Sequence, residues 1–289
     1  MSPVNMHLIW PDQAAPTARP ETRAAMIPYR RPLAQGGPAT ICIRMGNGLR
    51  RRRPGTVTPM TTERVLSATA RTTLQRLRER GRPDRADLDA VLAAGLICHL
   101  GVNIDGAPVV LPTGYGWIGD DLYLHGSSAN RSLLAAAGQQ VCVTITLLDG
   151  LVCARAVFHH SMNYRSAVIF GAARLVTEPD EKLAALEAVT NHLVPDRWEH
   201  ARLPTRKELA ATAVLALPLD EASVKVRAGQ PKDDPEDYDS GIWAGVLPAA
   251  LAFGAAEPDP ALTGNIEIPD HIAALANRAR GAAPAGPAG

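Results

Sequence analysis

The chain is punctuated by short turn signals set between apolar runs too brief for helices. Asp105-Gly106, Gly119-Asp120-Asp121 and Asp149-Gly150 each separate two such runs. Small flexible pairs between alternating apolar segments predict hairpins, because two-residue loops need backbone angles that Gly and Asp adopt readily. The expected strands are Leu96–Val102, Ala107–Gly114, Trp117–Ile118 with Leu122–His125, Val141–Leu147 with Leu151–His159, and Tyr164–Leu175. A last strand pair is expected at Ala213–Leu217 and Ala222–Arg227. One helical pattern precedes them and only two interrupt them. Asp84–Ala94 ends at Gly95, Ala129–Ala137 ends at Gly138, and Glu181–Leu193 carries Leu183, Leu186, Val189 and Leu193 on one face. Many strands and few helices predict a mainly β fold, an antiparallel barrel. Strand and helix do not alternate and no GxGxxG occurs, so a Rossmann fold is not expected.

The flanks read differently. Residues 1–59 hold nine Arg against two acids, with abundant Pro and Gly and no sustained period. They are expected to be disordered or foreign to the domain, with Met60 the expected start and a polar helix after it carrying Leu66, Leu74 and Leu77. Residues 228–289 hold three basic and nine acidic residues, and their last stretch is an Ala/Pro/Gly tail. The middle, 60–227, balances at 18 against 18, so nucleic acid is not the expected partner. No apolar run reaches the roughly 20 residues that span a bilayer. Cys42, Cys98, Cys142 and Cys153 show no CxxC spacing, which points to free thiols and a cytoplasmic setting.

Two segments bring hydroxyls and an arginine to a strand end. In Leu122–Leu134 the strand breaks at Gly126 into Ser127-Ser128-Ala129-Asn130-Arg131 before a helix start, where free N–H groups favour anions. In Phe158–Gly171, Arg165 stands between Tyr164 and Ser166. Arginine grips a phosphate with two parallel donors, so the two segments suggest one phosphate; each arginine alone reads as a solvated turn residue. Lys225 and Arg227 read equally as surface charge or nucleotide ligands. Adjacent His159 and His160 are expected to face opposite sides of a strand. The spacing of Cys98, His99, Cys142 and Cys153 does not suit zinc. Asp233, Asp234, Asp237 and Asp239 lack the Gly and terminal Glu of a calcium loop and read as a solvated loop.

Three stretches, YLHGSSANRSL, HHSMNYRSAVIFG and DPEDYDSGIWAGVLP, together resemble the pyridoxamine 5′-phosphate oxidase-like family over about residues 84–250, closest to its 5-nitroimidazole reductase-like branch. The resemblance implies a split β-barrel that dimerises and binds FMN between the protomers. It implies that His125, Ser127, Asn130 and Arg131 surround the FMN phosphate and that Tyr164, Arg165 and Ser166 approach the phosphate or ribityl. Pro112, Thr113 and Tyr115 then match the strand whose backbone faces the isoalloxazine ring, and Trp243 lines the mouth or arrives from the partner chain. The implied activity is hydride transfer from a reduced nicotinamide, NAD(P)H, to a small organic acceptor. The residues that would grip a vitamin B6 phosphate are not evident. A deazaflavin-dependent reductase is one alternative. The other is a non-enzymatic haem or flavin carrier using His99, His125, His159 or His160 as axial ligand.

Overall fold

The computed structural model describes residues 64–276 and the backbone of 279–280; the reading of residues 1–59 lies outside these. In chain order the strands are β1 (Gly81–Arg82), β2 (Ile97–Ile104), β3 (Ala107–Ile118), β4 (Asp121–Ser127), β5 (Gln140–Cys153), β6 (Ser161–Ala172), β7 (Arg174–Leu175), β8 (Thr212–Pro218), β9 (Glu221–Arg227), β10 (Gly245–Pro248), β11 (Leu251–Ala252) and β12 (Ala279–Arg280). The helices are α1 (Arg85–Ala94), α2 (Arg131–Ala136), α3 (Pro179–Leu193), α4 (Arg206–Ala210) and α5 (Asp270–Ala276).

One antiparallel sheet runs in the order β1-β9-β6-β5-β2-β3-β4-β8-β7, with β10 added to β5. Leu219 and Asp220 alone connect β8 to β9, yet five strands separate those two in the sheet order. So short a link forces the sheet to curl until its two ends meet, which is a split barrel. The expected β8–β9 pairing is therefore wrong. β8 pairs with β4 and β7, and β9 pairs with β6 and β1.

The barrel interior collects alternate residues from each strand, among them Leu100, Leu122, Leu124, Val143, Ile145, Ile169, Leu215 and Val224, and α1 adds Leu88, Val91 and Leu92. Strand alternation sends the other face of β8 toward α3, where Val214 and Ala216 meet Ala185, Val189 and Tyr123. Burial on both faces accounts for the unbroken apolar run of β8.

Three expectations change. Asp105 and Gly106 do form a tight hairpin, with φ of 52° and 82°. Asp149-Gly150 does not: β5 continues through it, and the register against β6 shifts between Leu148 and Gly150. Glycine is needed there because β10 comes close; a Cβ on Gly150 would lie 2.9 Å from the Leu247 carbonyl oxygen. His159 consequently falls in a 3-10 turn, Val157–His159, and not on a strand. The helix expected after Met60 is also absent among the described residues. Thr72 there donates its hydroxyl to the Ser67 carbonyl and accepts from the Thr69 amide, local bonds that compete with a helix ladder.

Candidate functional site

Residues opposite one another across neighbouring strands share a face of the sheet. Outside the barrel the register therefore lays out rows. Pro112, His99, Thr144 and Val168 form one; Thr146, Ser166 and Lys225 form the next; Leu148, Tyr164 and Arg227 form a third. A cleft of about 560 Å³ opens on this face, between the end of α1 and residues 249–251. Its walls are largely apolar, from Leu96, Ile97, Leu147, Leu148 and Leu251, with His99 and Thr146 as polar groups. The 249–251 wall is tied down by the Ala249 amide, which donates to the Asp149 carbonyl at 3.1 Å. Gly95 sits at the cleft's inner corner, where a Cβ would strike Ile145 and the Tyr115 hydroxyl at 2.6 Å.

The rows beside the cleft are cationic. Lys225 and Arg227 are half-buried, and among the described residues neither has a carboxylate within ion-pair distance. Arg227 donates to the Asn163 side-chain oxygen. Burial, and then the repulsion of Arg80, pull the Arg227 pKa below its ordinary value. Half-buried cations that lack acids among the described residues form a place where an anion is stabilised. With the hydroxyls of Ser166 and Tyr164 in the same rows, the arrangement suits a phosphate at the edge of an apolar slot.

The structure separates the two arginines that the sequence suggested would share a phosphate. Arg131 is 78% exposed and pairs with Asp105 at 2.6 Å, at the β2–β3 hairpin tip. Arg165 faces the other end, opposite Leu147 in register, and grips Asp149 at 2.7 Å. Leu147 lines the cleft together with Leu96. From there to Asp105 is the length of β2, about 25–30 Å at roughly 3.3 Å per residue. One phosphate cannot touch both within one chain.

The turn before α2 also spends its polar groups on itself. Ser127 Oγ accepts from the Ala129 amide, and Asn130 Oδ1 accepts from the Ser132 and Leu133 amides, all at 3.1 Å. His125, on β4, alternates with Leu122 and Leu124 and so shares the α3-facing side with Tyr123. Its Nδ1 is buried without a hydrogen-bond partner, and burial lowers its pKa. Tyr115 is fully buried, donates its hydroxyl to the Leu92 carbonyl at 2.8 Å and has its pKa pushed up by burial. Its side chain belongs to the core and offers a ligand nothing.

Pro112 lies on the cleft wall, and Thr113, next to it, donates its hydroxyl to the Gly114 carbonyl at 3.2 Å. Tyr164 and Ser166 stand in the outer rows. Trp243 is 69% exposed, its ring over Gly245 at the start of β10. The Asp233 side chain is not solvated as expected: it accepts from the Arg155 and Ala156 amides at 2.8 and 3.2 Å. Thr146 went unnoticed in the sequence, where nothing but its alternation with Ile145 and Leu147 marks it as outward-facing.

Residues 84–226 match the family described as pyridoxamine 5′-phosphate oxidase. The flavocytochrome Anf3 from Azotobacter vinelandii is 39% identical, with a TM-score of 0.69 over 72% of this chain and 97% of its own. The chain belongs to the pyridoxamine 5′-phosphate oxidase-like family. The FAD and heme binding protein from Mycobacterium smegmatis is 36% identical, with a TM-score of 0.67 over 70% of this chain and 100% of its own. No curated protein sequence matches the chain. Family members of this type are flavin-binding split barrels, mostly antiparallel β with few helices, as the fold here is. Among the described residues no helix is long and apolar enough to cross a membrane.

Proposed function

We propose that this chain is a flavin-dependent redox protein whose flavin lies along the outer cleft. Lys225 and Arg227, with the Ser166 and Tyr164 hydroxyls, hold the flavin phosphate, and the apolar wall from Leu96 to Pro112 lies against the ring. The observation that carries this reading is the pair of half-buried cations, without acids among the described residues, in register with the cleft residues Thr146 and Leu148. A flavin, when bound, supplies two-electron transfer at its ring; the chain binds it, orients it and keeps water from it. In this reading the chemistry that a bound FMN would supply is hydride transfer from NAD(P)H to a small organic acceptor, in the cytoplasm.

The exposed apolar residues Ile97, Val110 and Leu148 on the same face support closure of the cleft by a second copy of the chain. A second reading adds haem. Two relatives more than a third identical are a flavocytochrome and an FAD and heme binding protein, and His99 is the imidazole on the cleft wall. Flavin and haem would then make an electron-transfer pair in one protein.

The absorption spectrum of the purified protein tests both readings, together with the mass of what heat releases. FMN or FAD in the released material supports the first reading, and a Soret band that His99→Ala abolishes supports the second. A colourless protein that takes up only deazaflavin overturns both. For the phosphate, Lys225→Ala and Arg227→Ala should each weaken flavin binding by roughly 1.5–3 kcal/mol, the usual worth of a hydrogen bond to a charged group. Fluorescence titration of the stripped protein reads this directly. If Arg131→Ala loses flavin and the two other variants keep it, the phosphate lies at the far end of the barrel and the assignment fails.

A further inference from the structure

Away from the cleft, two tight turns bring an imidazole and two carboxylates together. The first is the 3-10 turn Val157–His159. The second is the 3-10 turn Pro235–Asp237, whose preceding residue is Asp234. Asp234 caps this turn with extended backbone, three residues before Asp237. The Asp237 amide donates to the Asp234 carbonyl at 3.0 Å and closes the turn. His159 Nε2 lies 3.2 Å from Asp234 Oδ2, and one donor atom from each of His159, Asp234 and Asp237 falls within 4.8 Å of the others.

We propose that His159, Asp234 and Asp237 form a binding site for a divalent transition-metal ion of the zinc class. Imidazole and carboxylate donors suit such ions. Bonds of about 2.0–2.2 Å in a four-coordinate site place donor atoms about 3.3–3.6 Å apart. The His159–Asp234 separation of 3.2 Å is just short of that range, and the Asp237 donor lies within 4.8 Å of both.

Charge points the same way. Two carboxylates face one imidazole, and the nearby guanidinium of Arg155 is committed elsewhere. It bonds Asp233 at 3.1 Å and lies 4.7 Å over the Tyr238 ring. The backbone of both turns is held before any ion arrives, because Asp233 accepts from the Arg155 and Ala156 amides. The Phe158 ring stands edge-on to the His159 ring at 5.2 Å and limits its swing. Three protein donors leave a fourth position for water or a small ligand, the composition of an open site. The ion would clip the turn bearing Val157 and Phe158 to the segment leading into Trp243.

The test uses the full chain, stripped with a chelator and titrated with Co²⁺, read by visible absorption and by competition with Zn²⁺. The expected result is one ion per chain, with affinity reduced at least about tenfold by His159→Ala and by Asp237→Asn. Zn²⁺ should raise the melting temperature of the native chain and leave that of both variants unchanged. Should His159→Ala fail to fold in metal-free buffer, the near-isosteric pair Asp234→Asn with Asp237→Asn replaces it. Absence of Co²⁺ and Zn²⁺ uptake at millimolar concentration overturns the site. Uptake that the substitutions do not weaken overturns it as well, and places the ion elsewhere in the chain.

Discussion

Replacing Arg165 with methionine should destabilise the protein by roughly 3–5 kcal/mol, the range for removing one partner of a buried ion pair. Arg165 and Asp149 are only 12% and 7% exposed. Arg165 Nη2 donates to Asp149 Oδ1 at 2.7 Å while Nε donates to Oδ2 at 3.0 Å, a two-pronged grip that sets the orientation of both groups. Methionine fills much of the same volume but leaves the Asp149 carboxylate enclosed without its guanidinium. Adding Asp149→Asn removes the stranded charge and should recover a good part of the loss. Urea unfolding of the native chain, the single variant and the double variant checks this. If Arg165 instead serves a phosphate, the single variant will fold with near-native stability and lose flavin. That outcome would sink the structural role assigned to this arginine.

The Asp149–Arg165 pair also shows what a sequence conceals. Asp-Gly occurs at 105–106 and at 149–150, and the same two letters serve different ends. At 105–106 the glycine supplies a left-handed angle with open space around it. At 149–150 it supplies room for β10, a strand nearly a hundred residues further on. Local chemistry reveals the first role and cannot reveal the second. The hairpins, α1 and α3 were legible because apolar spacing and turn residues are local signals.

The β8–β9 relation was not legible, since a two-residue link reads as a hairpin until the whole sheet order is known. The candidate site suffered from the same non-locality. Lys225 and Arg227 stand out in sequence as alternating cations, but only the register places them in rows with Ser166, Tyr164 and the cleft. Arg131 and Arg165 look alike in sequence, and only the length of β2 separates them. Strand and turn patterning supplied an antiparallel barrel, family resemblance its split form, and inter-strand register put the two cations in rows that run on from the cleft residues Thr146 and Leu148.

Gly116→Ala should be among the most damaging single-methyl additions available in this fold. A Cβ at Gly116 would lie 2.5 Å from the Val189 nitrogen and 2.6 Å and 2.8 Å from the Ala188 carbonyl carbon and oxygen. These are backbone atoms in the middle of α3, so no side-chain rotation relieves the contact. Either α3 lifts from β3 or β3 bends. Both routes loosen the cluster of Ala185, Val189, Val214, Ala216 and Tyr123 that seats the helix. The expected cost is about 3 kcal/mol or more, the upper end of overpacking effects. For a domain of this size that corresponds to a fall in Tm of roughly 6–12 °C. Gly114→Ala is the informative comparison on the same strand. Its added methyl meets the Leu193 side chain at 3.1 Å, and a leucine at a helix end can give way, so its effect should be much smaller. Parallel melts of the two variants separate a backbone clash from a side-chain one. Equal melting temperatures for Gly116→Ala and the native chain would mean that α3 does not rest on β3 as closely as described.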